Sequence, residues 1–368
     1  MPRTYALCSQ TGSQEERLQE GEPKTSQALS ARYRAPTNPR SWGTTGQKVC
    51  WGGSQDAQRT FSHWTGGERT ALKILLIYNP QAGNGRAHKL LGRVEARFQS
   101  HGCDLDLRLT EHHGHGITLT QEAELSRYDA VVAAGGDGTT YEVINGYYRN
   151  PGQIKPPVGI IPTGTGNAFV REMDLFGSGW GKAIDTIVRG ETRAVDVTRF
   201  TTQGETHYSL NILGVGFVSD VTETAVHLKF LGNSAYILAV FYRLLKLRSY
   251  PLKLTIDGQA ESVDACFAVV ANSRYTGTTF FIAPKAKLDD GLLDLVVLKK
   301  ISRLRVIQIF KTIFSGDHIR EPEVDYYQAR KITIDTEDPR VLNVDGEVLG
   351  LTPIEVECLP SDLRLFWG

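Results

Sequence analysis

Runs of apolar residues that end in glycine-rich loops dominate the first half of the chain. The first run, Leu72–Tyr78, is apolar at every position except Lys73, and similar runs cover 129–134 and 158–162. A further strand is predicted at 105–109, where apolar residues alternate with Asp106 and Arg108. Segments with helical periodicity alternate with them, at about 87–100, 119–125 and 140–148. Near-continuous apolar runs are typical of strands buried on both faces, and their alternation with helices predicts a doubly wound parallel sheet.

After about Val195 the pattern changes to short strands separated by turns. Strands are predicted at 207–213, 252–256, 265–272, 293–298 and 331–335. Such spacing predicts a mostly antiparallel β-sandwich, so the expected fold is an N-terminal α/β domain followed by a β domain. One apolar helix, about 235–246, is either ordinary core or an interfacial element that admits acyl chains or rests on a bilayer.

These patterns divide the chain into three parts. Residues 1–69 lack apolar periodicity and are rich in Ser, Thr, Gln, Gly and Arg, so we expect them to be disordered. Residues 70–195 are predicted to form a nucleotide-binding α/β domain. Residues 196–353 are predicted to form the β-sandwich and to hold the substrate.

Charge and cysteine content exclude several classes of protein. The chain has 41 basic and 41 acidic residues, so no net charge attracts nucleic acid or an acidic membrane. Five scattered cysteines without a CxxC pair indicate reduced thiols. No apolar run reaches the roughly 20 residues that span a bilayer, and no signal peptide is evident. We therefore expect a cytoplasmic protein without nucleic-acid partners or a transmembrane segment.

Three glycine-rich loops follow the predicted parallel strands, at 79–85, 135–139 and 164–167. Strands of this kind end at one edge of the sheet, where ligands bind, and glycines let backbone amides approach an anion closely. The pattern predicts a nucleotide polyphosphate site, although any single loop could be a tight turn. Asp137 would repel polyphosphate unless a cation intervenes, which predicts magnesium; the alternative is a turn or helix cap.

Gly-Gly-Asp-Gly-Thr at 135–139, with Asn-Pro-Gln-Ala-Gly at 79–83 and Gly-Thr-Gly-Asn at 164–167, resembles the diacylglycerol kinase catalytic family. That family includes sphingosine and ceramide kinases and bacterial lipid kinases, and the resemblance runs from about 72 to 366. It implies an ATP-dependent lipid kinase with ATP between the two domains, and a last segment, 354–368, that returns to the first. The implied ATP contacts are Asn79, Gly83, Thr110, Gly135, Gly136, Asp137, Gly138, Thr139, Thr140, Tyr141 and Thr165.

A second motif, Asp345-Gly346-Glu347, resembles the family's Asp-Gly-Glu sequence, whose glutamate acts as general base on the acceptor hydroxyl. The resemblance makes Glu347 the catalytic base, with Asp137 as the second catalytic residue. Asp-Gly is also the strongest short hairpin signal, so a plain turn is the alternative.

The loop at 283–294 resembles one that holds a structural magnesium ion in bacterial members of the family. By position, its ligands would be the main-chain oxygens of Lys287 and Leu292 and the carboxylate of Asp290. The alternative is an acidic β-turn. The implied cofactors are thus ATP and Mg²⁺.

The chain departs from the family pattern at Ala168, where many diacylglycerol kinases have aspartate. The segment 216–221 resembles the sphingosine kinase segment whose aspartate contacts the lipid head, which makes Asp220 a candidate substrate-binding residue or a simple helix cap. Diacylglycerol at a membrane surface is the first predicted substrate and a sphingoid base the second. An NAD kinase and a nonenzymatic lipid or nucleotide sensor are the alternatives, and a homodimer stays open.

Several charged and polar residues beside these loops have two interpretations. Arg86 and Arg171 could each assist phosphate binding or be solvated helix charges. His112, His113 and His115 follow Thr110, and we assign them to a loop on the nucleotide side because no nearby cysteine or carboxylate completes a metal site.

Overall fold

The computed structural model describes residues 71–175, 179–217, 219–221, 224, 242–243, 246–277 and 280–368. Residues 1–69, for which we expect disorder, lie outside the described residues, and so does most of the predicted helix at 235–246. None of the helices in the described ranges is long and apolar enough to cross a membrane.

Four parallel strands form the first lobe, in the order β2-β1-β3-β4. They are β1 Lys73–Tyr78, β2 Asp104–Leu109, β3 Ala130–Gly135 and β4 Val158–Pro162. The accompanying helices are α1 Arg86–Ser100, α2 His115–Gln121, α3 Asp137–Arg149 and α4 Gly179–Arg189, with 3₁₀ turns at Leu125–Arg127 and Phe169–Arg171. Every residue of β1 after Lys73 is buried, because a central parallel strand is covered on both faces.

The second lobe is built from mostly antiparallel strands. Its elements are β5 Thr192–Thr202, β6 Glu205–Ser209, β7 Ile212–Gly216, β8 Tyr250–Ile256, β9 Gln259–Ala271, β10 Leu293–Lys299, helix α5 Arg303–Thr312, a 3₁₀ turn Asp317–Arg320, β11 Val324–Ala329, β12 Lys331–Thr336, β13 Val341–Val344, β14 Glu347–Leu351 and β15 Ile354–Phe366. The predicted fold class, a parallel α/β domain followed by an antiparallel β-sandwich, is confirmed.

Two long strands connect the lobes. Strand β15 pairs antiparallel with β5 along its length, from Ile354 opposite Thr202 to Phe366 opposite Thr192. Near its start β15 also pairs with β12, and near its end it pairs in parallel with β4 at Leu365. One hydrogen-bonded sheet therefore runs through both lobes and fixes their orientation.

Strand β9 separates two cores of the second lobe. Ala268 and Val270 belong to one apolar cluster, whereas Phe267 and Val269 belong to the cluster that includes α5. This follows from the two-residue period of a strand, which sends neighbouring side chains to opposite faces.

The structure corrects three features predicted from the sequence. Helix α2 begins at His115 rather than near 119, because Gly114 adopts a left-handed conformation and starts the helix earlier. The strand predicted at 207–213 is two strands, β6 and β7, because the chain leaves the partner of β6 at Asn211 to pair with other strands. Helix α5 was not predicted at all.

Candidate active site

The loops that follow the four parallel strands start side by side at one edge of the sheet. The backbone N–H of Thr110 donates to Tyr78 O and that of Asn79 to Ala134 O, both at 2.9 Å. The N–H of Thr163 donates to Gly135 O at 3.0 Å. The structure thus brings the predicted nucleotide loops together in one row.

Close packing explains why glycine occupies key loop positions. A Cβ atom on Gly83 would lie 2.7 Å from the carbonyl oxygen of Thr163, and one on Gly164 would lie 2.4 Å from the Cα of Gly136. Such distances are shorter than any side chain tolerates, so the third loop packs directly against the backbone of both the first and the second loop. The Asn79 amide adds a link by donating to Thr139 Oγ1 at 3.1 Å.

Arg86 bridges the first and third loops. It is the first residue of α1, and its Nη2 donates to the carbonyl oxygen of Gly164 at 2.8 Å. Arg171 is placed differently, with its guanidinium 4.5 Å from the ring centroid of Tyr275. Arg86 therefore contacts a glycine loop directly.

Two threonines of the third loop differ in exposure. Thr165 lies exposed at the tip of the loop, where a ligand can reach it. The hydroxyl of Thr163 is buried and has no hydrogen-bond partner in the protein, which leaves one unmet hydrogen bond at the base of the loop. Sequence reasoning missed Thr163, whose only signal is its position directly before the Gly-Thr-Gly segment.

The third loop wraps the carboxylate of Asp137, the first residue of α3. Asp137 Oδ2 accepts a hydrogen bond from the N–H of Ala168 at 3.1 Å, and a Cβ on Gly166 would lie 2.9 Å from the same oxygen. Burial raises the pKa of the Asp137 carboxyl to about 6, although hydrogen bonds from backbone N–H groups, that of Ala168 above all, act to lower it. Ala168 therefore contributes a backbone donor to the Asp137 carboxylate.

The Asp345-Gly346 turn carries Glu347 to the glycine loops. Both turn residues have positive φ, 51° and 89°, as expected for the tight hairpin that joins β13 and β14. A Cβ on Gly138 would lie 2.8 Å from Glu347 Oε1, so this carboxylate rests against the first turn of α3. The hairpin interpretation and the proximity of Glu347 to the loops are thus compatible.

Asp345 anchors this turn to the second lobe. Its Oδ2 accepts from the Ser209 hydroxyl at 2.8 Å and its Oδ1 accepts from the N–H of Ile212 at 2.9 Å. Burial raises the pKa of the Asp345 carboxyl to about 7, and the charge of Asp137 contributes to this rise. No role was assigned to Asp345 from the sequence, because its partners are more than 130 residues away.

Asp137 and Asp345 line one small cleft between the lobes, which is partly open to solvent. Thr140 and Tyr141 of α3 line the same cleft, as does Asn211. The cleft therefore combines groups from the phosphate helix with groups from the antiparallel lobe.

Tyr141 belongs mainly to the contact between lobes. Its ring packs in a core of the second lobe, and its hydroxyl lies 3.1 Å from His207 Nδ1. Burial lowers the pKa of His207 to about 4, so the imidazole is neutral near pH 7. Asn145, one turn further along α3, bonds to both backbone groups of Tyr208. These contacts fix α3, and with it the phosphate loop, to strand β6.

Asp220 lies away from this cleft. Strand β7 contacts Asp345 at Ile212, and Asp220 follows the opposite end of the strand, Gly216, roughly 13 Å away at the usual rise per residue. The Asp220 carboxylate accepts from the Tyr250 hydroxyl at 3.4 Å, and the guanidinium of Arg340 lies 3.7 Å from the centroid of that ring.

The predicted magnesium loop is held by Asp196, which is fully buried. Asp196 accepts from the N–H of Gly291 and from that of Ser361, each at 2.7 Å. The Asp290 carboxylate is exposed and accepts from the N–H of Leu292 at 3.1 Å. In the part of the chain that the structure describes, no three His, Cys, Asp or Glu side chains gather in a way that could hold a metal ion.

Comparison with known proteins identifies the family. The diacylglycerol kinase catalytic domain profile matches residues 73–200, and a profile described as the YegS C-terminal NAD kinase beta sandwich-like domain matches residues 211–367. A diacylglycerol kinase of Bacillus subtilis (strain 168) is 32% identical over 282 residues, covering 76% of this chain and 91% of the relative. The chain belongs to the diacylglycerol kinase family.

Other members of the family show the same relationship. A diacylglycerol kinase of Staphylococcus haemolyticus (strain JCSC1435) is 33% identical over 300 residues, covering 78% of this chain and 88% of the relative. A crystal structure of a diacylglycerol kinase from Bacillus anthracis str. Sterne superposes with a TM-score of 0.63 at 28% identity, covering 82% of this chain and 98% of that one. The prediction of a lipid kinase is confirmed.

Proposed function

We propose that this chain transfers the γ-phosphoryl group of ATP to the free hydroxyl of diacylglycerol. The observation that carries the proposal is the position of Glu347, whose carboxylate rests against Gly138 in the phosphate loop. A general base must lie within hydrogen-bond reach of the proton that it accepts, and this placement puts Glu347 at the start of the helix that would face the polyphosphate.

The residues of the cleft divide the work of the reaction. The glycine-loop amides and the positive end of α3 would hold the polyphosphate, with Arg86 as a further donor. Glu347 would accept the proton of the lipid hydroxyl. The hydroxyl oxygen of the lipid then bonds to the γ-phosphorus of ATP, while the bond between the γ-phosphorus and the β-phosphate oxygen breaks and ADP leaves. Because phosphoryl transfer depends on positioning and charge neutralisation, no covalent nucleophile is required.

An apolar cavity in the second lobe suits an acyl chain. It is partly open to solvent, and thirteen apolar residues and Thr276 line it. Ile212 is one of them, and its backbone bonds to Asp345 in the catalytic turn. Ile212 therefore lines the cavity and also bonds to the turn that carries Glu347, so a lipid tail can occupy the cavity while the lipid head reaches the cleft.

The outer side of this cavity offers a surface for the membrane. Val306, Ile309 and Phe310 of α5 line the cavity, while Leu304 and Ile307 on the same helix are 76% and 40% exposed. Exposed apolar side chains on a helix beside an acyl cavity suit insertion into the headgroup region of a bilayer. We therefore place the enzyme transiently at the membrane surface, where its product enters phospholipid biosynthesis.

Magnesium fits this proposal at two places, both rich in oxygen donors, which hard divalent cations prefer. In the cleft, Asp137 and Asp345 face the same space and their pKa values are raised, so a bound cation would offset their repulsion. When bound there with ATP, magnesium would neutralise charge on the polyphosphate.

The second place is the loop at 287–292, where Lys287 and Leu292 would supply main-chain oxygens and Asp290 its carboxylate. Burial raises the pKa of the nearby Asp196, and the charges of Asp290 and Asp289 add to it. The buried Oδ2 of Asp294 also has no hydrogen-bond partner. This excess of carboxylate oxygens suits a cation that stabilises the fold without taking part in the reaction.

A sphingoid base is the second candidate substrate. The specific observation in its favour is Asp220, because its neighbour Val221 lines the apolar cavity. A carboxylate beside a tail-binding cavity is a suitable partner for the amino group of such a lipid.

Product analysis decides between these substrates. Purified protein is incubated with labelled ATP, magnesium and mixed micelles that contain diacylglycerol, sphingosine or ceramide, with NAD as a separate reaction. The proposal predicts that diacylglycerol gives the highest kcat/KM. Phosphorylation of NAD alone would assign the chain to the NAD kinases, and nucleotide binding without turnover would favour a sensor.

A further inference from the structure

The loop after β2 presents two stacked imidazoles beside the nucleotide loops. The ring centroids of His112 and His115 lie 4.7 Å apart, with 11° between the ring planes. His112 is exposed, and its Nδ1 donates to His113 O at 3.0 Å, since a carbonyl oxygen can only accept. His115 Nδ1 accepts from the N–H of Glu111 at 3.1 Å. Both rings therefore have a fixed orientation at the surface.

A buried carboxylate ties this loop to the phosphate helix. Glu142 of α3 is 7% exposed and accepts from the N–H groups of Gly114 and Gly116 at 2.7 and 2.9 Å, while His113 Nδ1 lies 3.3 Å from it. Since α3 begins at Asp137 in the phosphate loop, the imidazoles have a set position relative to that loop. A ligand that spans both would meet a preorganised surface.

The direction of the bound nucleotide follows from the row of loops. Glu347 over Gly138 marks the end where the phosphoryl group is transferred, and the third loop closes around Asp137 on the β4 side. From Gly138, after β3, the row leads past Asn79, after β1, to Thr110, after β2, about two strand spacings or roughly 10 Å in all. An extended nucleoside triphosphate that follows this row places its base at the loop after Thr110.

We propose that His112 and His115 form the platform on which the purine base of ATP stacks, with the outer face of His112 in contact with the base. This inference rests on the proposed kinase function, which sets the direction of the nucleotide. Bases stack on histidine rings as on other aromatic side chains. Stacking does not read the edges of a base, so the platform discriminates little between ATP and GTP.

Binding measurements on the full chain test this inference independently of turnover. The dissociation constants of a non-hydrolysable ATP analogue and of inorganic tripolyphosphate are measured for wild type, His112→Ala and His112→Phe. The control is His101→Ala, at the far end of α1, where His101 pairs with Asp185 at 3.2 Å.

His112→Ala should weaken binding of the ATP analogue at least fivefold, the equivalent of ~1 kcal/mol, the lower end for base stacking. His112→Phe should keep near wild-type affinity, and tripolyphosphate should bind all variants equally. An unchanged affinity of His112→Ala for the analogue, or an equal loss for tripolyphosphate, would overturn the platform. If the variants bind as predicted but the wild-type protein phosphorylates no lipid, the kinase proposal is overturned and the platform is not.

Discussion

Replacing Gly138 by alanine should separate catalysis from stability. Gly138 is the second residue of α3, and its added Cβ would lie 2.8 Å from Glu347 Oε1, whereas ordinary contacts begin at 3.4 Å. The carboxylate must therefore withdraw by about 0.6 Å. Since a displacement of about 1 Å can reduce a rate by roughly 10²-fold, we expect kcat to fall about tenfold.

Stability should change in the opposite direction. Alanine is favoured over glycine within a helix by about 1 kcal/mol, and the clash involves only the end of a flexible side chain. The matched control is Gly92→Ala in α1, where a new Cβ meets nothing within 4 Å. Both variants are compared by steady-state kinetics and chemical denaturation. A folded Gly138→Ala enzyme with wild-type kcat would refute the placement of Glu347 at the reacting hydroxyl.

Three further predictions follow from the cleft, the cavity and the loop anchor. The folded pKa of Asp345, about 7, lies above the ordinary 3.8, so this group makes the fold less stable as pH rises from about 4 to 7. The free energy of unfolding of Asp345→Asn should therefore increase relative to that of wild type across that window, by at most 1.36 kcal/mol per pH unit. It is measured for both proteins as a function of pH without magnesium, and two curves that stay parallel would contradict this. Val269→Phe should reduce kcat/KM for long-chain diacylglycerol more than for short-chain diacylglycerol, because Val269 lines the cavity. The control is Val270→Phe, which adds the same ring to the adjacent core, where there is no cavity to receive it. The free energy of unfolding should therefore fall less for Val269→Phe than for Val270→Phe. Glu142→Gln should raise the KM for ATP several-fold at nearly constant kcat, because it weakens the anchors of the loop at Gly114 and Gly116; a fall in kcat alone would count against that anchor.

The sequence alone was sufficient for features that depend on local pattern. The fully apolar run at Ile74–Tyr78 predicted a central parallel strand, and the glycine loops after β1, β3 and β4 predicted a common edge. Both predictions rest on rules that connect a short segment to its own structure. The Asp345-Gly346 hairpin was predictable for the same reason.

Features that depend on distant contacts were not predictable. Nothing near Asp345 indicates that Ser209 and Ile212 bind its carboxylate, and nothing near Gly116 indicates that Glu142 lies under it. The apolar cavity beside α5 also escaped prediction, because alternation along β9 shows that two faces exist but not which face is incompletely filled. Helix α5, which closes that cavity, has apolar residues on both its buried and exposed sides, which obscures the helical period.

The most direct test of the central claim compares Glu347→Gln with wild type in magnesium-dependent phosphorylation of diacylglycerol, with nucleotide affinity measured in parallel. Glutamine keeps the size of the side chain but removes its ability to accept the proton. We predict that kcat falls by 10²- to 10⁴-fold, the usual contribution of a general base, while ATP affinity changes little. A Glu347→Gln enzyme that phosphorylates diacylglycerol at the wild-type rate would contradict the assignment of Glu347 as the base.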